Sequence, residues 1–427
     1  MHWQLATLAL VLLAFAGISG RVEGTSLTAA MFFAAAGLLV GSDALGLVDP
    51  AATGEEVKLL AEATLTIVLF SDASRIDLRV LREEIGIPAR LLGFGLLLTI
   101  ALGFLLALPL LPGLAWPEAL VLAVVLAPTD AALGQAVVTY RRLPSSVRQS
   151  LNVESGLNDG ICVPLFLVAL AVAQAEEGAV GSGHAARLVV EKIGYGALGG
   201  VLAGLAAAVV VVAFGRRKWI EGAWLQIVPV AGAALAFGLA EAIDGSGFIA
   251  AFVGGMVFGW ARRNRGGEVG FLLEEAGDLL AAITFVVFGA VLLGPAIGAA
   301  TWEVVVYVVL SLTLIRMLPV AIAMLGTGAR RPTIAFLGWF GPRGLASIVF
   351  ALILLEEGGL PGDDLVLTAT FVAVALSIVA HGVSAAPLSR RYADWVDARA
   401  RPGAAPVETL ETTEVPWRHA AGQHTSG

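Results

Sequence analysis

Thirteen apolar stretches, most of them long enough to cross a bilayer as a helix, are separated by short polar connections and leave this chain few possible folds. They fall at 3–20, 27–48, 57–74, 89–111, 117–139, 150–174, 188–214, 223–242, 246–261, 271–294, 302–325, 332–355 and 364–389. A helix needs about 20 residues to span a hydrocarbon layer of about 30 Å. In lipid every backbone polar group needs an internal partner, so only helices and closed barrels can span it. The weak alternation of a barrel strand is absent here. The expected fold is therefore an all-α polytopic membrane protein of about thirteen transmembrane helices, the ninth short enough to pair with the eighth as a hairpin. Charged residues make up 14% of the chain, against roughly 25% in a soluble domain, and no segment reads as a soluble enzymatic domain. The first stretch lacks the basic flank of a signal peptide and is read as a span. The single cysteine, Cys162, excludes an internal disulfide and is read as a small packing residue.

Charge orients the spans. Connections after odd-numbered spans, together with the C-terminal tail, hold all but five of the 26 basic residues, among them Arg75, Arg79, Arg82, Arg141, Arg142, Arg216, Arg217, Arg262, Arg263 and Arg265. Three of the five, Lys58, Arg187 and Lys192, follow even-numbered spans, beside acidic pairs such as Glu55-Glu56 and Asp363-Asp364. The positive-inside rule then puts the N-terminus outside and the C-terminus in the cytoplasm of a multi-pass protein of the plasma (inner) membrane. The last two, Arg316 and Arg343, fall inside spans. The basic residues are scattered rather than gathered on one face, so no nucleic-acid partner is expected. The tail over 392–427 has no apolar periodicity and reads as disordered.

Two spans should be broken near their middles. The fifth carries Ala127-Pro128-Thr129-Asp130 and the twelfth Gly341-Pro342-Arg343-Gly344. Proline removes a backbone donor and clashes with the preceding turn, and glycine relaxes the chain. If spans one to six and eight to thirteen are inverted repeats joined by span seven, the two breaks occupy equivalent positions. Such pairs of discontinuous helices mark the central site of secondary transporters. Crossed, broken helices present helix ends of both signs; Asp130 would balance N-terminal ends and Arg343 C-terminal ones.

Charges inside a membrane are costly, and each is a functional candidate. They are Asp72, Asp130, Glu154, Asp159, Arg316, Arg343 and His381. On the sixth span Glu154 and Asn158 share one helical face, and Ser155 and Asp159 the adjoining one. An arginine pairing with Glu154 would fix that acid, leaving Asp159 as the titratable group; Arg316 is the better candidate for the pairing, and Arg343 stays open. A carboxylate among apolar neighbours can hold a proton or a dehydrated cation. Transported sodium, a hard cation, would take oxygens from Asp159, the Ser155 hydroxyl and the Thr129 carbonyl or hydroxyl, with Asp72 as a further ligand and Asp130 acting through water. A local ion pair with Arg75 is an alternative for Asp72, His381 reads as a packing or interfacial residue, and Asp43 as a residue facing outside water. No cofactor is expected.

These residues sit in motifs that resemble the bacterial sodium/proton antiporters of the NhaP type, within the monovalent cation/proton antiporter family. The resemblance runs over nearly the whole chain. It rests on Leu69-Phe70-Ser71-Asp72 through Asp77-Leu78-Arg79, Pro128-Thr129-Asp130, Glu154-Ser155-Gly156-Leu157-Asn158-Asp159, Gly247 to Gly255, Arg316 and its span, Gly344 after Arg343, and His381-Gly382. It implies a homodimer in which 1–85 and 219–298 form interface helices. Core helices would occupy 86–176 and 299–391, with 177–218 as linker, and the core would carry ions by an elevator-like motion. It implies that Asp159 binds cation or proton, that Asn158 replaces a second aspartate of the electrogenic branch, and that Glu154 pairs with an arginine such as Arg316. The expected exchange is electroneutral, one sodium or lithium ion for one proton.

Potassium/proton exchange is the nearest alternative, because size selectivity depends on cavity geometry rather than ligand type. An intramembrane aspartyl protease could use Asp130 and Asp159, but its glycine-any-glycine-aspartate motif is absent. An ion channel would conduct without a proton gradient. Both rank below exchange.

Overall fold

The computed structural model describes residues 2–22, 25–42, 44–47, 54–76, 86–178, 182–262, 269–357, 359–398 and 406–409. Asp43, Arg79, Arg82, Arg263, Arg265, Arg399, Arg401, Arg418, the motif at 77–79 and most of the tail lie outside these residues.

The helices are α1 (His2–Val22), α2 (Ala29–Val40), α3 (Gly54–Arg75), α4 (Gly86–Ala89), α5 (Leu96–Leu110), α6 (Trp116–Val125), α7 (Ala131–Val138), α8 (Ser145–Glu176), α9 (Ser182–Val209) and α10 (Ala223–Glu241). They continue with α11 (Gly247–Arg262), α12 (Phe271–Val287), α13 (Gly294–Ala299), α14 (Trp302–Leu312), α15 (Leu314–Ala323), α16 (Arg331–Trp339), α17 (Leu345–Glu357), α18 (Asp363–Asp397) and α19 (Pro406–Thr409). π-Helical turns at Arg90–Gly95 and Phe288–Leu293 join α4 to α5 and α12 to α13, and Val210–Phe214 extends α9. Before α19, the described helices thus form thirteen segments in the order expected, with no strand among the described residues. Eight of them are long and apolar enough to cross a membrane unaided. The all-helical membrane fold expected from the sequence is the one observed.

The chain divides into two compact units, Met1–Ala61 with Gly86–Asn158 and Ala281–Thr412, and Glu62–Ile85 with Asp159–Leu280 and Thr413–Gly427. In the first unit the fifth and twelfth segments are both interrupted: α6 stops at Val125 and α7 starts at Ala131, while α16 stops at Trp339 and α17 starts at Leu345. The eleventh segment carries an interruption that no proline or glycine announced. Thr313, at φ −116° and ψ −92°, separates α14 from α15. Its hydroxyl donates to Val309 O at 2.6 Å, the carbonyl to which Thr313 N also donates at 3.1 Å. Past Tyr392, α18 runs on to Asp397, and Glu408 of α19 accepts from Thr333 Oγ1 at 2.6 Å and Arg330 N at 3.0 Å.

In the second unit α9 packs on α11 through small residues. A Cβ on Gly200 would strike the Ala250 backbone, and one on Gly204 the Gly254 backbone. Helices associate closely in lipid through such small-residue faces, because tails and side chains are equally apolar and contact depends on shape.

Candidate functional site

Both breaks of the first unit lie within one hydrogen-bonded cluster. Pro128 and the Gly341-Pro342 pair interrupt the helical ladders, which leaves backbone N–H and C=O groups at four helix ends. Asp130 serves two of these ends. Its Oδ1 accepts from Ala132 N at 2.7 Å and Leu133 N at 3.1 Å, capping α7, and its Oδ2 accepts from Leu345 N at 2.7 Å, at the start of α17. The backbones are also joined directly, Asp130 N donating to Pro342 O at 2.8 Å.

Arg343 serves the opposite polarity. Its Nη1 donates to Ala127 O at 2.7 Å and Pro128 O at 3.1 Å, and the side chain is fully buried. An anion at helix N-termini and a cation at a helix C-terminus match the partial charges of the ends they meet. Ser347 adds a bond to Val125 O at 2.7 Å. Gly344 makes the approach possible, because a Cβ there would collide with the Asp130 carboxylate.

Of the two arginines weighed for Glu154, Arg316 makes the pair. Nη1 lies 2.6 Å from Oε1 and Nη2 donates to Oε2 at 2.8 Å, a bidentate contact in which both residues are buried. Such pairs are short and geometrically specific. The guanidinium lies against Gly341, where a Cβ would displace it.

Four residues along α8, Asn158 donates from Nδ2 to Thr129 Oγ1. Asn158 Oδ1 is buried and accepts no hydrogen bond among the described residues. The Ser155 hydroxyl donates to Leu151 O at 2.9 Å, so its proton is used within the helix and its lone pairs point outward from that bond. Asp159 follows Asn158 on the same unbroken helix, is buried, and belongs to the second unit.

The first unit therefore gathers Thr129, Asp130, Glu154, Ser155, Asn158, Arg316 and Arg343. Asp72 lies in the second unit, half-buried on α3. Arg75, three residues on, pairs with Glu274 at 3.2 Å and donates to Ser71 Oγ at 2.9 Å. Ser347 and Ser377 were missed by sequence reasoning; an isolated serine on an apolar helix was the available signal. His381 is 2% exposed and fully engaged within the protein.

The sequence profile described as "Sodium/hydrogen exchanger, transmembrane" matches residues 8–391. The chain belongs to the sodium/hydrogen exchanger family. Among curated relatives, the K(+)/H(+) antiporter NhaP of Alkalimonas amylolytica is 25% identical over 92% of the chain and 66% of its own length. The K(+)/H(+) antiporter NhaP2 of Shewanella oneidensis is 24% identical over 84% of the chain and 62% of its own length. The Na(+)/H(+) antiporter of Schizosaccharomyces pombe is 24% identical over 74% of the chain and 71% of its own length. The chain thus spans less than two thirds of the length of the two bacterial relatives. In fold, this exchanger-family chain matches the sodium proton antiporter MjNhaP1 from Methanocaldococcus jannaschii at TM-score 0.73 and 18% identity, over 88% of this chain and 98% of that one.

Proposed function

We propose that the protein exchanges a monovalent cation for protons across a membrane by alternating access, with the two ions competing for Asp159. The observation that supports this most is the state of the oxygens beside the breaks. Glu154 is committed to Arg316 and Asp130 to three backbone N–H groups, whereas Asn158 Oδ1 is buried and accepts no hydrogen bond among the described residues. A spare hard oxygen next in sequence to a buried carboxylate suits a dehydrated alkali cation. Thr129 and Ser155 supply the further oxygens, with Asp72 as a further ligand and Asp130 acting through water.

Sodium or lithium is the first reading. Potassium is the second, favoured by the relatives from Alkalimonas and Shewanella, which are named K(+)/H(+) antiporters. The exchange is one for one and electroneutral, because Asn158 adds no charge beside Asp159. The protein works as a homodimer with the N-terminus outside and the C-terminus cytoplasmic. Helices within 1–85 and 219–298 form the interface, and 86–176 and 299–391 the moving core.

The test is proton flux in everted vesicles after pulses of sodium, lithium or potassium chloride, comparing the native protein with Asp159→Asn. The native protein moves protons with at least one cation, in a flux that does not respond to membrane voltage, and the variant moves them with none. Unchanged flux in Asp159→Asn would reject Asp159 as the exchanging group.

A further inference from the structure

Three of the four helix ends at the crossing are met by residues of the crossing itself. At the fourth, the carbonyl end of α16, Trp339 O accepts from Gly341 N at 2.9 Å and is also met from outside the crossing. His381 of α18 brings Nε2 to 2.9 Å from Trp339 O. Ser377 O lies 2.9 Å from Nδ1, so a carbonyl faces each ring nitrogen; in the tautomer that carries its proton on Nε2, the ring donates to Trp339 O. The other ring nitrogen, Nδ1, then accepts from the Ser377 hydroxyl at 3.1 Å. Ser377 Oγ in turn accepts from Arg343 N at 2.7 Å. One turn of α18 thus holds both sides of the break, Trp339 before it and Arg343 after it. Ser377 is fully buried, as is the Arg343 side chain, and no water competes for these bonds.

The chain of contacts does not stop there. Arg343, held at its backbone by Ser377, aims its guanidinium at Ala127 O and Pro128 O. The next residue is Thr129, whose hydroxyl oxygen accepts from Asn158. A run of short polar bonds therefore leads from α18, through Arg343, to two oxygen-bearing residues of the candidate ion site.

We propose that Ser377 and His381 are positioning residues for the cation site, setting the placement of Thr129 and Asn158 by fixing the second break and aiming Arg343. The proposal rests on the exchange reading given above. Neither residue touches the ion. Removing the Ser377 hydroxyl frees Arg343 N and unties Nδ1, so the site loosens while the helices remain.

The test uses the full-length protein in proteoliposomes, with the cation that gives the largest flux. Apparent KM for cation and maximal rate are measured for the native protein, Ser377→Ala, His381→Ala, the double variant and Ser384→Ala. Ser384 accepts from Trp339 Nε1 at 2.9 Å, a bond of the same region that lies outside the chain to Thr129. Ser377→Ala is expected to raise KM roughly tenfold, the loss of about one buried hydrogen bond, with maximal rate within about threefold. The double variant should add less than the two single effects together, since both act through one joint. Ser384→Ala should leave KM within about twofold. If Ser377→Ala lowers yield or maximal rate but keeps the native KM, or if Ser384→Ala shifts KM equally, the positioning role is wrong. If His381→Ala does not fold, the comparison of Ser377→Ala with Ser384→Ala still decides. Absence of cation-driven flux in the native protein, with no thermal stabilisation by any of the three cations, would reject the exchange reading itself and the positioning role with it.

Discussion

The break between α6 and α7 and the break between α16 and α17 pose the same electrostatic problem, and the chain answers it differently in each. At the first break the N-terminal end is capped by its own Asp130, and the carbonyl end is met by Arg343 and Ser347 from the other segment. At the second break the N-terminal end takes Asp130 from the first segment, while the carbonyl end turns to His381 of α18. Among the bonds at these four helix ends, the first break is met only by the two broken segments, whereas the second also draws on α18. The direction of dependence follows from which side chain is long enough to cross. Arginine reaches over to two carbonyls of the other segment, whereas aspartate must sit where the two N-termini already converge.

The largest effect should come from the anionic side of this arrangement. Asp130→Ala leaves three backbone N–H groups without their acceptor, and Arg343→Ala leaves two carbonyls without that donor. An unmet buried group costs about 1–3 kcal/mol, more where the lost partner is charged, and orphaned N–H groups are tolerated less well than carbonyls. We expect losses of about 4–6 kcal/mol for Asp130→Ala and about 2–4 kcal/mol for Arg343→Ala. Thermal unfolding of the purified proteins in detergent, followed by tryptophan fluorescence, measures the order. Equal losses, or a greater loss for Arg343→Ala, would break the asymmetry.

Much of this was legible in the sequence because the physics is local. Span-length apolar runs define membrane helices, and Pro128 and the Gly341-Pro342 pair coincide with the two breaks, whereas the lone Pro164 and Pro387 sit inside continuous helices. What the sequence did not carry was partnership at long range. Nothing in the spacing of Glu154 distinguishes Arg316 from Arg343, since both lie more than 150 positions away and only packing brings one within reach. The interruption at Thr313 was equally hidden, because threonine usually continues a membrane helix, as Thr99 and Thr370 do with the same hydroxyl bond to the carbonyl four residues back. His381 looked like packing for a similar reason: its partners, Trp339 O and the Ser377 hydroxyl, are a backbone atom and a common small residue.

A smaller effect separates the two glycines that line the crossing. A Cβ at position 344 meets the Asp130 carboxylate, and one at 341 meets the Arg316 guanidinium. Asp130 is short and held at both oxygens, so it cannot withdraw without giving up helix caps. Arg316 has a long stem, and what a Cβ at 341 meets is the far end of that flexible side chain. Gly344→Ala should therefore cost about 2–3 kcal/mol and Gly341→Ala about 1 kcal/mol. The same unfolding measurement checks it, and a reversed order would mean that the Arg316–Glu154 pair is the stiffer of the two anchors.

The smallest effect should belong to Ser347. Its hydroxyl meets Val125 O, the last carbonyl of α6 proper, four residues before Thr129. Ser347→Ala removes one oxygen atom and leaves a carbonyl unmet, at a cost of about 1 kcal/mol. Arg343 still holds Ala127 and Pro128, the two residues immediately before Thr129. The cation KM in proteoliposomes should therefore stay within about twofold of native while thermal stability falls slightly. A KM increase as large as that expected for Ser377→Ala would show that the end of α6, and not Arg343 alone, fixes Thr129. The first break would then depend on the second through two separate ties.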